Sequence, residues 1–512
     1  MGKYKPYLIP FFIFFISFII RFSLISKGPF HSDSLRLLIS AEQSLQEHKI
    51  IYLHGHGYPL TAIMGAFFAG LARMLGFQNP QFLLNFMSVL FGALVVFPGY
   101  VFLKNFFDEK TAIFTICLLT FSPILLSTSI YGNSHNLSLF LFLLSLCLFG
   151  RYLQIPSLKI LLGGALIFGL FGASRVQDFM TMVIPVSYLY FVFGPLPQNV
   201  RVNGRCGKLL RYVTAAFISV LTVIVFYIPL LLERGQEYFG ATFKYNITDS
   251  FRYLISPYHM GRSFGYLFNN FNTIGLLACF FGFLYLLIKD YRRCGFIVLW
   301  FLIPFMFFGN HAMTAPRWHL LEIVALTILQ GYVIARFYSH RVLINRGLAL
   351  LLLVTLISLW YVSVFPVLAF RHQYALIPDF ARWVGQSTEK NAKVIVGDEG
   401  AWIRYYGHRD VLEQVKTINY RLEFKEQLDI LHQDFDQYKR KLLNLLDQGI
   451  PIYITDIGLE SNNTDHLFQR FIEDNFQMEN IGSAPFEVWN RNSIRHRVIR
   501  VRLYKMTPKE NP

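Results

Sequence analysis

The chain has 512 residues, of which 54% are apolar, 17% aromatic and only 15% charged, with a formal charge of +16. A soluble globular chain carries about 25% charged residues, so this composition excludes a string of water-soluble domains; it also excludes collagen and an intrinsically disordered chain. Nor is the basic excess a nucleic-acid footprint: residues 367–512 hold 20 basic and 20 acidic side chains, so the whole +16 falls in the apolar residues 1–366, where loop Lys and Arg report membrane orientation.

A membrane-crossing helix needs about 20 apolar residues. Taken in chain order, candidate runs are 7–25, 59–77, 82–103, 111–130, 134–150, 160–174, 179–194, 212–232, 271–288, 294–309, 317–335 and 347–366. The first follows Lys3 and Lys5 but no small-residue cleavage site ends it, so it reads as a retained span rather than a signal peptide. Segments 1–5, 104–110, 151–159, 201–211, 289–293 and 336–346 carry 16 Lys/Arg in 48 residues, against 10 in the 114 residues of the alternate segments. The first set is therefore expected on the cytoplasmic side. That parity requires one run before Lys104 to stay out of the bilayer. Run 59–77 is the choice, since it opens at Pro59 and contains Gly65, Gly70, Arg73 and Gly76.

These steps predict a polytopic α-helical membrane protein with about 11 transmembrane helices, one outer juxtamembrane helix and a cytoplasmic N-terminus. Residues 1–366 form the membrane module and residues 367–512 an extracytoplasmic domain. In that domain Val394–Gly397 and Ile452–Asp456 read as buried strands, 376–387, 421–447 and 464–475 as helices, and Val498–Tyr504 as an edge strand, giving a small α/β fold. The turn Val396–Gly400 lacks a phosphate-binding glycine pattern and reads as structural. The five cysteines all lie in or beside apolar runs, so no disulfide framework is implied.

The outer segments hold the residues that chemistry could use. Asp33 follows the first span in Phe30-His31-Ser32-Asp33-Ser34; a carboxylate at the bilayer interface suits a general base, and the same position suits a helix N-cap. The loop continues to His54-Gly55-His56-Gly57-Tyr58-Pro59, where His54 and His56 with Asp33 or His31 are compatible with a metal but an H-x-H pair is a weak signal. Tyr131–Asn136 is a polar turn containing His135. Arg175 and Asp178 stand between two spans, where charge is expensive and tends to be functional, although the two can pair with each other. Loop 233–270 adds Lys244, Tyr258, His259 and Arg262, a set suited to a phosphate. Arg317, beside Trp318, opens a late span, with Glu322 one turn inside it; Arg317 also fits an interfacial anchor.

Four motifs in this order resemble the GT-C integral-membrane glycosyltransferases, in particular bacterial relatives of protein O-mannosyltransferases and lipid A aminoarabinose transferases. They are Asp33 after the first span with Tyr58-Pro59-Leu60 leading into an apolar helix that closes at Leu75-Gly76; Phe121-Ser122-Pro123 before a polar turn; the Gly-rich span Gly169–Arg175; and Arg317-Trp318 opening a late span. The likeness covers residues 1–366. It implies a polyprenyl-phosphate-linked sugar donor, transfer at the outer face with inversion, and Asp33 as base or orienter of the acceptor. Taken with the polar outer segments described above, substrate-binding roles are expected for His56, Tyr58, His135, Arg175, Asp178, Tyr258, Arg262 and Arg317. The acceptor would be a lipid, protein or glycan, the other partners membrane lipids, with no nucleic acid, and the location the bacterial inner membrane with the C-terminal domain in the periplasm. The chain departs from the family at Ser34, where a second acid is common, and at His135, where an acid is common. No metal ligand is therefore assigned and no cofactor is required, although a divalent metal is compatible. The alternatives are a lipid-linked glycan ligase or polymerase, whose large outer loop usually falls late between spans, and a polytopic transporter or flippase, for which inverted repeats are expected and none is visible.

Overall fold

The computed structural model describes residues 5–53, 57–77, 79–194, 204–243, 257–309, 315–339, 342–397, 399–413, 424–460, 466–488 and 497–509. They form two compact units, one of residues 1–27 and 36–373 with 491–495, the other of residues 28–35 and 374–490 with 496–512.

The first unit is helical. Its elements are α1 (Lys5–Ser23), α2 (Ser32–Glu47), α3 (Pro59–Met74), α4 (Gln81–Leu94), α5 (Val96–Phe106), α6 (Glu109–Phe121), α7 (Pro123–Thr128), α8 (His135–Gln154), α9 (Leu158–Ser174), α10 (Val176–Phe193), α11 (Gly204–Phe243), α12 (Pro257–Lys289) and α13 (Tyr291–Gly309). A 3₁₀ turn (Pro316–His319), α14 (Leu320–Ser339) and α15 (Leu343–Gln373) complete it; α2 begins in the other unit. Among the described residues, eight helical segments are long and apolar enough to cross a membrane, counting α4–α5 and the 3₁₀ turn with α14 as single segments. The three remaining expected spans are occupied by α1, α9 and the broken pair α6–α7, while α3 covers the run expected to stay out of the bilayer.

Burial follows sequence. The segment Pro316–Ser339 is the most enclosed, with 83% of its most apolar window buried, and α14 packs against α6, α12, α13 and α15. Contact with α6 is close enough that a Cβ on Gly331 would lie 2.1 Å from Thr115 Oγ1 and 2.7 Å from its backbone N. By contrast, α11 and α15 turn Leu209, Phe217, Leu351 and Val362 outward, which suits helices that face lipid. The break between α6 and α7 has a local cause. Ser122 is extended (ψ 123°) ahead of Pro123, as the residue before a proline prefers. Asn270 Oδ1 accepts from Ser122 Oγ (3.1 Å) and from the Ile124 N–H (3.0 Å), satisfying groups that the broken ladder exposes.

The second unit contains α16 (Leu376–Ser387), β1 (Lys393–Val396), α17 (Gly400–Tyr406), β2 (Asp410–Glu413), α18 (Phe424–Asp447), β3 (Ile452–Thr455), α19 (Asp456–Glu460), α20 (Leu467–Asn475), β4 (Phe476–Val488) and β5 (Arg497–Pro508). The sheet order is β2-β1-β3-β5-β4, with β1 parallel to β2 and β3, and β5 antiparallel to β3 and β4. The small mixed α/β fold expected from the sequence is present, with one correction: β5 is interior, and β2 and β4 are the edges. β4 carries Gly482, Pro485 and the polar Gln477, Glu479, Asn480 and Ser483, so its apolar alternation is faint. Its pairing with β5, through an irregularity at Asn480/Gly482, supplies what the pattern lacks. Trp402, 2% exposed, donates from Nε1 to the Pro29 carbonyl (3.1 Å), tying residues 28–35 into this unit.

Candidate active site at the membrane helix ends

Arg175 occupies the junction of α9 and α10. Its extended backbone (φ −157°, ψ 100°) reverses the chain between the two helices, while its N–H still bonds Phe171 O and its carbonyl accepts from Phe179 N. The side chain is 4% exposed. Its Nε donates to Asp178 Oδ2 (2.9 Å), and Nη1 donates to Ser134 Oγ (3.1 Å) and faces His135 Nε2 at 3.3 Å. The guanidinium also lies 5.3 Å from the Tyr58 ring centroid. Since a guanidinium only donates, Nε2 of His135 acts as acceptor and that imidazole is neutral here. Asp178, in the first turn of α10, accepts from Ser138 Oγ (3.0 Å) as well, and a carboxylate at that position is favoured by the helix dipole.

The structure thus brings together four residues named from sequence, Tyr58, His135, Arg175 and Asp178, and adds Ser134 and Ser138. Pairing of Arg175 with Asp178 is confirmed, yet both groups also reach beyond the pair. Removing one partner of such a buried ion pair costs about 3–5 kcal/mol, since the other charge is left uncompensated.

An amide network holds the turn that carries Ser134 and His135. Asn133 Nδ2 donates to the carbonyls of Thr128 (2.6 Å) and Tyr131 (2.8 Å), and Asn136 Nδ2 to Thr128 O (3.0 Å). From α4, Asn85 Oδ1 receives the Gly132 N–H (2.8 Å) and Ser88 Oγ the Asn133 N–H (3.1 Å). Beside this network Arg21 of α1, fully buried, donates to Ser129 Oγ (2.9 Å) and Ser17 Oγ (2.7 Å). Sequence reasoning did not single out Arg21, although one charge inside an apolar run is a signal in itself.

A second polar group lies on the late helix. His319 Nδ1 and Glu322 Oε1 are 2.9 Å apart and both side chains are fully buried. The 3₁₀ turn that carries Arg317 and His319 packs against α7, α12, α13 and α14. Arg317 is 8% exposed, and Trp318 sits against Phe308 with ring centroids 6.0 Å apart. Glu322 was noted from sequence without its partner, and the i, i+3 spacing of His319 and Glu322 was the signal that could have found the pair. Arg262 is half-buried on α12. Tyr258 lies on the same helix with its side chain outside the described residues, and His54 and His56 also lie outside them.

Asp33 belongs to the second unit, in the first turn of α2. The N-cap reading of Asp33 is corrected. The helix begins at Ser32, and it is His31 whose carbonyl accepts from the N–H groups of Ser34 (3.0 Å) and Leu35 (3.1 Å). His31 Nδ1 accepts from the Asp33 N–H (3.0 Å), so it carries no proton toward Asp33 Oδ2 3.5 Å away, and the two side chains are not an ion pair. The Asp33 side chain is 25% exposed. Among the described residues no group of three or more His, Cys, Asp or Glu side chains is placed to hold a metal.

Comparison with known proteins agrees with the motifs. Residues 60–227 match the family model described as dolichyl-phosphate-mannose-protein mannosyltransferase. No curated protein matches the sequence. Among solved structures, ArnT from Cupriavidus metallidurans, solved without ligand, superimposes with a TM-score of 0.59 at 11% identity, covering 97% of each chain. The same enzyme bound to undecaprenyl phosphate gives 0.57 at 12% identity over 98% of each chain. The Archaeoglobus fulgidus oligosaccharyltransferase AglB, in complex with an inhibitory peptide and a dolichol-phosphate, gives 0.54 at 12% identity, over 97% of this chain and 75% of AglB. The mycobacterial arabinofuranosyltransferase AftD gives 0.53 at 15% identity, over 97% of this chain and 39% of AftD. The fold is that of the GT-C glycosyltransferases, a multi-pass helical membrane module with a small mixed sheet in the C-terminal region. The resemblance read from the motifs of residues 1–366 is borne out.

Proposed function

We propose that this protein is a membrane glycosyltransferase that moves a hexose or pentose from a polyprenyl-phosphate-linked donor to a lipid, protein or glycan acceptor, with inversion. The reaction takes place at the outer face of a bacterial inner membrane, with the N-terminus cytoplasmic, residues 1–366 as the transferase module and residues 367–512 as a periplasmic domain. The observation that carries the reading is the Arg175 cluster: a buried guanidinium at a helix junction, held by Asp178 and Ser134, within the segment matching the mannosyltransferase model. A preorganised cation in a low-dielectric setting stabilises the charge that develops on a phosphate leaving group. Undecaprenyl phosphate and dolichol-phosphate in the ArnT and AglB structures support a lipid phosphate as that group, and the acceptor peptide tethered to the Archaeoglobus fulgidus oligosaccharyltransferase in another structure supports acceptor binding on this fold.

In this reaction an acceptor oxygen attacks the anomeric carbon through an oxocarbenium-like state. The bond from that carbon to the phosphate oxygen breaks, and Asp33 takes the acceptor's proton. Where the acceptor is itself an anionic phosphate, Asp33 positions it instead. Arg262, Arg317 and Tyr258 contribute to binding the donor phosphate, and His56 and Tyr58 to holding the substrates.

The test is transfer from radiolabelled polyprenyl-phosphate hexoses and pentoses by protein in lipid nanodiscs. Wild type is expected to form labelled product, and Asp33→Asn to lose transfer while keeping its thermal midpoint. Arg175→Gln is expected to bind polyprenyl phosphate at least about ten-fold more weakly, one lost charged hydrogen bond being worth roughly 1.5–3 kcal/mol. Full activity in Asp33→Asn removes the base assignment. Movement of intact lipid-linked sugar across the bilayer without product favours a flippase.

A further inference from the structure

We infer that Trp402 is a positioning residue for the transfer: through Pro29 it fixes the segment that carries Asp33, an inference that rests on the transferase reading above with Asp33 as its base. Residues 28–35 are flanked on both sides by chain of the first unit, yet they pack into the second. Two contacts hold them there. The Trp402 indole, 2% exposed, donates from Nε1 to the carbonyl of buried Pro29 (3.1 Å), 373 residues away in sequence. Gly28 lies so near the start of α16 that a Cβ would stand 3.1 Å from Ala375 Cβ and 3.4 Å from Pro378 Cγ. Between Pro29 and Asp33 there is little slack. Phe30 and His31 are buried with their rings edge to face, 6.3 Å apart. His31 accepts the Asp33 N–H on Nδ1 and the Ser34 and Leu35 N–H groups on its carbonyl. The backbone is thus fixed while the Asp33 carboxylate stays 25% exposed, which is what a general base requires: a held position that a substrate proton can still reach.

The turn ahead of Trp402 is built to hold it. α17 has seven residues, too few to be stable alone, and Glu399 fixes its start. The Glu399 carbonyl accepts from the N–H groups of Trp402 (3.0 Å) and Ile403 (3.1 Å). Its carboxylate, on a residue 1% exposed, accepts from the Gly397 N–H (3.0 Å) and from Thr455 Oγ1 at the end of β3. The turn Val396–Gly400, which lacks a phosphate-binding glycine pattern, thereby ties the sheet to the indole. Support runs from β3 through Glu399, Trp402, Pro29 and His31 to Asp33. An indole suits this place because its single donor meets a carbonyl in one orientation while burial locks its large ring. Misplacing a reacting group by about 1 Å can cost about 100-fold in rate. Loss of this one bond therefore acts on turnover and not on the grip of the lipid-linked donor.

The test measures sugar transfer and amide hydrogen exchange on the full-length protein in nanodiscs, with radiolabelled polyprenyl-phosphate hexoses and pentoses as donors. Trp402→Phe keeps an aromatic ring and removes the N–H. Its kcat is expected to fall at least about ten-fold, with the donor KM within about two-fold of wild type. Exchange should quicken in peptides covering residues 30–35 and stay unchanged in β1 and β3. The control is Leu442→Ala, fully buried in a core cluster that contains neither Trp402 nor any of residues 28–35. It should lower the thermal midpoint at least as much as Trp402→Phe does and leave kcat within about two-fold of wild type. Should Trp402→Phe not be recovered folded, Gly28→Ala pushes the same segment away from Ala375, and a fall in kcat of at least about three-fold with unchanged KM is expected. Unchanged kcat in the recovered variant overturns the assignment, as does an equal fall in Leu442→Ala or exchange that quickens throughout the second unit. Full transfer by Asp33→Asn overturns it as well, since no base is then being held, while leaving the transferase reading in place. A wild type that transfers no sugar from any donor removes the transferase reading and the positioning role together.

Discussion

At the scale of single residues, Glu389 of the second unit shows how a sequence-distant pair sets an ionisation. Its carboxylate accepts from Tyr453 Oη (2.6 Å) and Lys505 Nζ (2.9 Å). These contacts, the tyrosine bond first, pull its pKa down to about 2, while Tyr453 is pushed up to about 12 by burial and by the bond to Glu389. A carboxylate with a lowered folded-state pKa adds stability above its unfolded value, near 4.3, and loses it as pH falls toward 2. The side chain is 43% exposed, so the contribution is small, within the range of about 0.2–1 kcal/mol of exposed pairs. Glu389→Gln is therefore expected to lower the midpoint of the second unit's unfolding at pH 7 and to match wild type as pH approaches 2, read by circular dichroism of the full chain. A difference that persists unchanged at low pH would remove the ionic explanation. Among the site residues, Arg175 and Asp178 were visible because charge between apolar runs stands out. Ser134 was visible only as part of the polar turn Tyr131–Asn136, and Ser138 was not selected, because a hydroxyl in a membrane helix more often bonds its own backbone, as Thr128 does to Ile124 O.

At the scale of elements, proximity is controlled by what is missing from a side chain. Gly331 lets α14 approach α6 so closely that a Cβ would meet Thr115 at Oγ1, N and Cα, at 2.1, 2.7 and 2.9 Å. Gly331→Val is expected to cost about 1–3 kcal/mol by overpacking and to lower the thermal midpoint in detergent. Because two of the three contacts are with backbone-level atoms, adding Thr115→Ala should not restore it; full rescue would show that Oγ1 alone was at fault. The helices themselves were legible as apolar runs. Their breaks were less so: Pro123 announced the end of α6, but Asn270, which satisfies that break from α12, is 146 residues from Ile124. Strand β4 was missed for a related reason, since its pairing with β5 and its irregularity at Gly482 carry the order that its own side chains do not.

At the scale of the molecule, the topology proposed above, with a cytoplasmic N-terminus and eleven crossings, makes a direct prediction. In a cysteine-free background, Lys159→Cys should react with a membrane-impermeant maleimide only from the cytoplasmic side, and Lys49→Cys and Arg382→Cys only from the opposite side. All three side chains are in exposed positions. Labelling of Lys159→Cys and Lys49→Cys from the same side would overturn the eleven-span arrangement.

The amino-acid sequence by itself determined that this is a multi-pass membrane protein, where its helices run, and that a small α/β region follows, because hydropathy and loop charge are local properties. It also determined the fold resemblance, through short motifs in a fixed order. Only the tertiary structure decided which polar groups meet. Tyr58, Ser134, His135, Ser138, Arg175 and Asp178 come from three separate stretches of chain. His319 and Glu322 stand three apart on the chain, but only the packing of other helices around them buries both side chains completely. Burial of a charge is a property of what surrounds it, and those surroundings are assembled from residues that no local pattern connects.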